Sequence, residues 1–214
     1  IELAREKKLA VHENYMFVFH KQIQEVNDIV ASGEIGDVRL YRIDFGFPMR
    51  AANDFRYKKA LGGGALLDCG GYTLKYTSLL LGNTSKIEYA RLNTVEGFEV
   101  DMYGSCALSN DKGQVVQVSF GMDNDYRCNL EVWGSKGTLR SGRILTAPEG
   151  FVPSYTISRN GEITEGNFSA DDAFLKSIQW FEDCVASEEV REENYHILMK
   201  QAELVEEFKD KLNH

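Results

Sequence analysis

No apolar run in this chain approaches the roughly 18 residues that a membrane-crossing helix needs, so a helical span is excluded. Positive charge is also in short supply. The 24 Lys and Arg stand against 33 Asp and Glu, giving a net charge of −9 in 214 residues. With no basic run to offset it, that balance argues against a nucleic-acid or anionic-membrane partner, though one pocket can still be locally positive. Cys69, Cys106, Cys128 and Cys184 lie far apart and form no C-x-x-C. They read as buried thiols in a reducing compartment, the cytoplasm. His12, His20, His196 and His214 lack metal-ligand spacing, and Asp123 and Asp125 lack the distal glutamate of a calcium loop. No metal is expected.

What the chain does have is 43% hydrophobic content, enough for a substantial core in one large domain, or one domain with an appendage. Its most informative stretch is Gly62-Gly63-Gly64-Ala65-Leu66-Leu67-Asp68-Cys69-Gly70-Gly71-Tyr72, followed three residues on by Lys75. A helix over 64–81 would stack Asp68, Tyr72 and Lys75 on one face. An acid, a phenol and an amine inside a run of Leu, Ala and Gly suit one wall of a reaction site better than core packing. Each has a plainer alternative: an acid near a helix start, a core tyrosine, a solvated lysine.

Periodicity organises the rest. A helix over 1–8 leads to a short strand at Leu9-Ala10-Val11-His12, the look of a last αβ step of a parallel sheet. Phe19, Ile23, Val26 and Val30 predict a helix over 17–32, closed by Gly33. A strand spans 37–47, ended by Pro48, and after the Gly64 helix strand-like runs follow at 86–95, 100–109, 114–121, 127–134, 137–146, 152–159 and 162–165. Two helices close the chain. The first carries Phe174, Ile178, Phe181 and Val185 on one stripe; the second carries Leu198, Ala202, Val205 and Leu212. The sum is an α+β fold, a large mostly antiparallel open sheet with helices packed on one face. Val116, Val118, Phe120, Leu130 and Val132 belong to the uncovered face in one phase or the other. A wide open sheet of this kind calls for a partner, so a homodimer or homotetramer through the sheet is expected.

The run G-G-G-A-L-L-D-C-G-G-Y with its apolar helix resembles the signature of the glucose-fructose oxidoreductase / inositol dehydrogenase / MocA-like family. The stretch from Leu3 to Leu40, with V-A-S-G-E-I-G-D-V-R-L, is similar to that family's interdomain junction, and L-E-V-W-G-S-K-G-T-L at 130–139 to a third recurring segment. The resemblance implies the carboxy-terminal half of a two-domain enzyme. Residues 1–14 would be the remnant of an NAD- or NADP-binding Rossmann domain, and 15–214 the substrate-binding and oligomerisation domain. No G-x-G-x-x-G opens a helix here. The chain is thus expected to be incomplete and inactive by itself.

The same resemblance implies hydride transfer to or from a sugar, nucleotide-sugar or cyclic polyol. The family's D-x-x-x-H falls on Asp68 and Tyr72, a tyrosine replacing the commoner histidine. Tyr72 would pass the proton, Asp68 would orient the substrate or a cationic partner, and Lys75 would lower the phenol's pKa. Lys75 stands where many relatives carry an acid. Asn14 and Tyr15 would contact the cofactor, with interdomain packing as the alternative. Arg50, Asn53 and Arg56, in the loop before the glycines, and Tyr126, in the polar turn 123–127, are candidate substrate ligands. His20 resembles a family position behind an Arg-Phe pair, here Val18-Phe19. The alternative function is a non-catalytic ligand-binding or assembly domain using the open sheet.

Overall fold

The structure, a computed structural model, describes residues 1–212, so His214 lies outside the described residues. Eight strands form one sheet: β1 (Val38–Gly46), β2 (Lys86–Asn93), β3 (Tyr103–Ser109), β4 (Val115–Gly121), β5 (Arg127–Gly134), β6 (Thr138–Ser141), β7 (Ser154–Arg159) and β8 (Glu162–Asn167). Their order is β2-β3-β4-β1-β5-β6-β7-β8. Only the β1–β4 pair is parallel; every other neighbour runs antiparallel. The helices are α1 (Glu2–Lys7), α2 (Lys21–Ala31), α3 (Gly71–Leu81), α4 (Ala173–Ala186) and α5 (Glu188–Lys211). The α+β architecture is the expected one.

The helices decide which set of alternating side chains is covered. Tyr41, Ile43 and Phe45 of β1, Val116, Val118 and Phe120 of β4, and Leu130 and Val132 of β5 are all buried in one cluster with Val26, Leu74, Leu204 and Phe208 of the helices. The apolar residues considered for the open face are therefore the ones beneath the helices. The open face is polar. Across four strands in register, Arg42 donates to Gln117 Oε1 (3.2 Å) and to Glu131 Oε1 (2.7 Å), and Arg140 donates to Glu131 Oε2 (2.8 Å). Beside it Ser119 donates to Asp44. Such exposed pairs add little stability.

Three local expectations change for identifiable reasons. Leu9–His12 is extended yet joins no ladder. Its carbonyls are taken by side chains of α5 instead, Tyr195 Oη donating to Leu9 O and Asn194 Nδ2 to Val11 O. The single helix over 17–32 is divided, Met16–Phe19 forming one 3₁₀ turn before α2. His20 separates them, extended at ψ 132, its Nδ1 accepting from Gln22 N (3.1 Å) as a cap. Finally, the stripe Phe174, Ile178, Phe181 and Val185 of α4 faces outward, its members 37–60% exposed, while Ala173, Ser177 and Cys184 face in. All four cysteines are buried thiols. No described helix is long and apolar enough to cross a membrane.

The face assignment has a direct consequence. Val132→Asp should unfold the domain or cost about 3 kcal/mol or more, because it buries an unpaired charge under the helices. Gln117→Ala, on the hydrated face, should change stability by about 0.5 kcal/mol or less. Urea unfolding of both variants measures the contrast.

Candidate active site

The site begins where the chain leaves β1. Asp54 Oδ1 accepts from Arg56 N (3.0 Å), capping a single 3₁₀ turn, Phe55–Tyr57. That turn aims the Arg56 guanidinium at two carboxylates: Nε donates to Asp68 Oδ2 (2.8 Å), and the Nη1 group lies 3.2 Å from Asp54 Oδ1. The backbone bond from Arg56, with its guanidinium, holds Asp54 below the usual carboxylate range. Burial opposes the charge on Arg56, but the bond and field of Asp68, then Asp54, raise its pKa overall. Arg56 is thus the cationic partner of Asp68. As a substrate ligand it is already engaged on one edge.

The glycine turn delivers Asp68 and Tyr72 through a distorted helix start. Gly64 has φ +124°, and a Cβ there would stand 2.5 Å from Asp101 Oδ1, so no other residue fits easily. The same Asp101 accepts from Ala65 N through its carbonyl (2.8 Å) and from Leu66 N through its carboxylate (2.7 Å), capping the helix from outside. Leu66–Gly70 then forms a π-helical turn, Gly70 N donating to Ala65 O (2.8 Å), before α3 begins. Such wide turns recur at functional sites.

The expected common face is not kept by all three residues. Asp68 and Tyr72 remain electrostatically coupled, but Lys75 turns elsewhere. Lys75 is 5% exposed, 3.9 Å from Glu13 Oε2, with its ammonium 5.8 Å from the centre of the Tyr15 ring. Burial lowers its pKa, opposed by Glu13, and burial raises Glu13, opposed by Lys75. The pair lines a cavity of about 580 Å³ with Trp180 and Ile197, which contains neither Asp68 nor Tyr72. Its walls are largely apolar, and the acid and the phenol stand outside it.

Tyr72 is half-buried in an aromatic cage. Tyr15 meets it edge-on at 4.8 Å between centroids, Phe45 at 5.4 Å and Phe17 stacked at 5.9 Å. Its hydroxyl makes no hydrogen bond among the described residues. Burial raises its pKa, Asp68 raises it further and Arg56 lowers it. The neighbouring cation is therefore Arg56, and Lys75 is not among the groups acting on the phenol. Tyr15 is held in turn: a Cβ on Gly71 would lie 2.2 Å from Tyr15 Oη, and buried Gln201 Nε2 donates to Gly71 O (3.0 Å).

The remaining candidates have contacts of their own. Asn14 is exposed and its Oδ1 accepts from Ser177 of α4 (2.8 Å). Arg50 lies over the Phe47 ring at 5.1 Å, and Asn53 is exposed on the same loop. Tyr126 pairs with Thr146 at 2.9 Å. His20 caps α2. Asp54, Asp101 and Gln201 escaped the sequence reading. Only Asp54, two residues before an arginine, left a local signal; the others arrive from distant segments.

The electrostatics predict opposite shifts for two substitutions. Asp68→Asn should lower the Tyr72 pKa, by removing a repelling charge, and Arg56→Gln should raise it. Ultraviolet difference titration, with Tyr72→Phe to assign the signal, reads both.

The sequence profile described as the GFO/IDH/MocA C-terminal domain matches residues 23–140. A dTDP-3,4-didehydro-2,6-dideoxy-alpha-D-glucose 3-reductase of Actinomadura kijaniata is 35% identical over 95% of this chain and 61% of its own. The protein of that name from Streptomyces violaceoruber is 40% identical over 86% of this chain and 54% of its own. The chain thus spans about three fifths or less of those two relatives. The crystal structure of a 3-ketoreductase from Actinomadura kijaniata, in complex with NADP and TDP-benzene, superposes with TM-score 0.92 at 34% identity, covering 98% of this chain and 65% of that one. The match to the profile, over more than half the chain and including the glycine turn, Asp68 and Tyr72, shows that this protein belongs to the GFO/IDH/MocA family through its C-terminal domain.

Proposed function

We propose that this chain is the substrate half of an NAD(P)-dependent reductase acting on a keto group of a nucleotide-linked sugar. The observation that carries the reading is the Tyr72 hydroxyl, half-buried, without a hydrogen bond among the described residues, and next to an acid already bonded by Arg56. Burial and Asp68 keep that phenol protonated near neutrality, which suits a proton donor to a ketone better than a base for an alcohol. The names of the curated relatives, 3-reductases of a dTDP-linked dideoxy sugar, support the same direction and substrate class.

The nicotinamide cofactor, when bound, supplies hydride to the carbonyl carbon. In this chain Asn14 and Tyr15 would line its reactive end: Tyr15 abuts Tyr72, and Asn14 is exposed just before it. That fits a nicotinamide but not its phosphates, for which the chain has no glycine-rich strand-to-helix turn. Tyr72 Oη gives its proton to the carbonyl oxygen as the alkoxide develops and regains one from solvent. Asp68, held by Arg56, accepts from a neighbouring sugar hydroxyl and so orients the ring. Arg50 and Asn53, exposed on the adjoining loop, would meet the substrate's polar groups. Self-association, on this reading, uses the polar sheet face, where Tyr89 and Trp133 stand 53% and 51% exposed.

In the full-length protein, Tyr72→Phe should lower turnover by about two orders of magnitude or more with NADPH binding and melting temperature intact. An unchanged rate removes Tyr72 from the reaction. Fluorescence titration showing that full-length protein binds neither NADH nor NADPH would return the alternative, a ligand-binding or assembly domain. Light scattering at micromolar concentration should give a mass above one chain.

A further inference from the structure

Where the strand expected over 137–146 breaks, the chain does something unusual. β6 ends at Ser141, and Arg143 takes φ +55°, a backbone conformation that side-chain-bearing residues seldom adopt. The turn is anchored from below, Gln22 Nε2, fully buried, donating to both Arg143 O and Ile144 O at 3.3 Å. Ile144 N donates to Cys128 O (3.1 Å), so the turn is fastened to β5 as well. A strained position held this firmly aims its side chain.

That side chain is clasped between two rings. The guanidinium carbon lies 5.0 Å from the Tyr126 ring centre and 5.8 Å from that of Phe151. Tyr126 is fixed through its hydroxyl to Thr146, which donates to Cys128 Sγ (3.2 Å). Among the described residues the Arg143 guanidinium makes no ion pair and no hydrogen bond, whereas Arg5, Arg42, Arg56 and Arg140 all do. Ring contacts of this kind leave its N–H groups available. Such groups match phosphate oxygens in shape and charge. The rings, 40% and 37% exposed, also offer faces on which a base can stack.

The position suits the reacting end. Tyr126 leads into β5, Cys128 pairs with Phe45 of β1, and the Phe45 ring packs on Tyr72. Arg143, one residue before the Ile144 that donates to Cys128, therefore belongs to the same end of the sheet as Phe45, on which Tyr72 packs.

We propose that Arg143, clasped by Tyr126 and Phe151, is the diphosphate subsite for a nucleotide-linked substrate, and that it separates such substrates from free sugars. This rests on the reading that Tyr72 faces the sugar. Cofactor phosphates share the same chemistry, so the test carries an arm for each source.

Full-length protein is titrated calorimetrically with thymidine diphosphate, inorganic diphosphate and NADPH, as wild type, Arg143→Asn and Arg143→Lys. Asparagine tolerates the left-handed backbone, so the first variant removes the charge without straining the turn. It should weaken thymidine diphosphate and inorganic diphosphate by about tenfold or more and leave NADPH unchanged, with lysine recovering part of the loss. KM for the nucleotide-linked sugar should rise by a similar factor with kcat nearly constant. Equal thymidine diphosphate affinity in wild type and Arg143→Asn overturns the subsite, as does a loss confined to NADPH. A wild type that reduces a free sugar but binds no thymidine diphosphate overturns it too, leaving the reductase reading in place. An unaffected Tyr72→Phe rate overturns that reading without touching the titration. Should Arg143→Asn fail to fold, Arg143→Lys and Phe151→Ala carry the same comparison.

Discussion

The contact on which the site depends is the close approach of the Tyr15 hydroxyl to Gly71, where a methyl group would stand 2.2 Å away. It joins the segment leading from α1 to the start of α3. Gln201 of α5 closes the joint by donating to the Gly71 carbonyl. Three parts of the chain that are distant in sequence thus meet at the residue before Tyr72. With Tyr15 seated, its ring edge presses on the Tyr72 face, and Phe17 and Phe45 complete the cage. A phenol so confined loses little further entropy when a substrate arrives, which favours a positioned proton donor.

Charge at this site is arranged by exclusion as much as by pairing. Arg56 places its guanidinium on Asp68 and Asp54, so the effect of Asp68 on the Tyr72 phenol is partly offset by the arginine. Lys75, one turn further along α3, belongs to a separate buried pair with Glu13. On the far side of β1 and β5, Arg143 is the opposite case, a cation held in place by rings and left unpaired.

Much of the scaffold was legible. Alternation in β1, β4 and β5 located strands within a few residues of their observed ends, and the glycine run marked the helix that carries Asp68 and Tyr72. The phase of the sheet was not legible, since Val116 and Gln117 are adjacent and only the helices' positions say which is covered. The α4 stripe misled for a related reason: an apolar face marks a surface that wants burial, not one that is buried within the same segment. The strand at Leu9–His12 lacked a ladder because its carbonyls went to Tyr195 and Asn194. Neither pairing has a local signal.

The sequence by itself determined the α+β class, the family resemblance, the absence of a phosphate-binding turn and the Asp68–Tyr72 spacing. All of these are properties of neighbouring residues or of composition. The tertiary structure alone decided that Arg56 answers Asp68, that Asp101 caps the glycine turn, that Lys75 belongs to Glu13, and that Arg143 stands unpaired between two rings. The reason is physical. Hydrogen bonds and charge fields act over a few ångströms of space, and in this fold those ångströms are spanned by residues outside one another's local sequence window, as with Asp101 and Leu66 or Lys75 and Glu13.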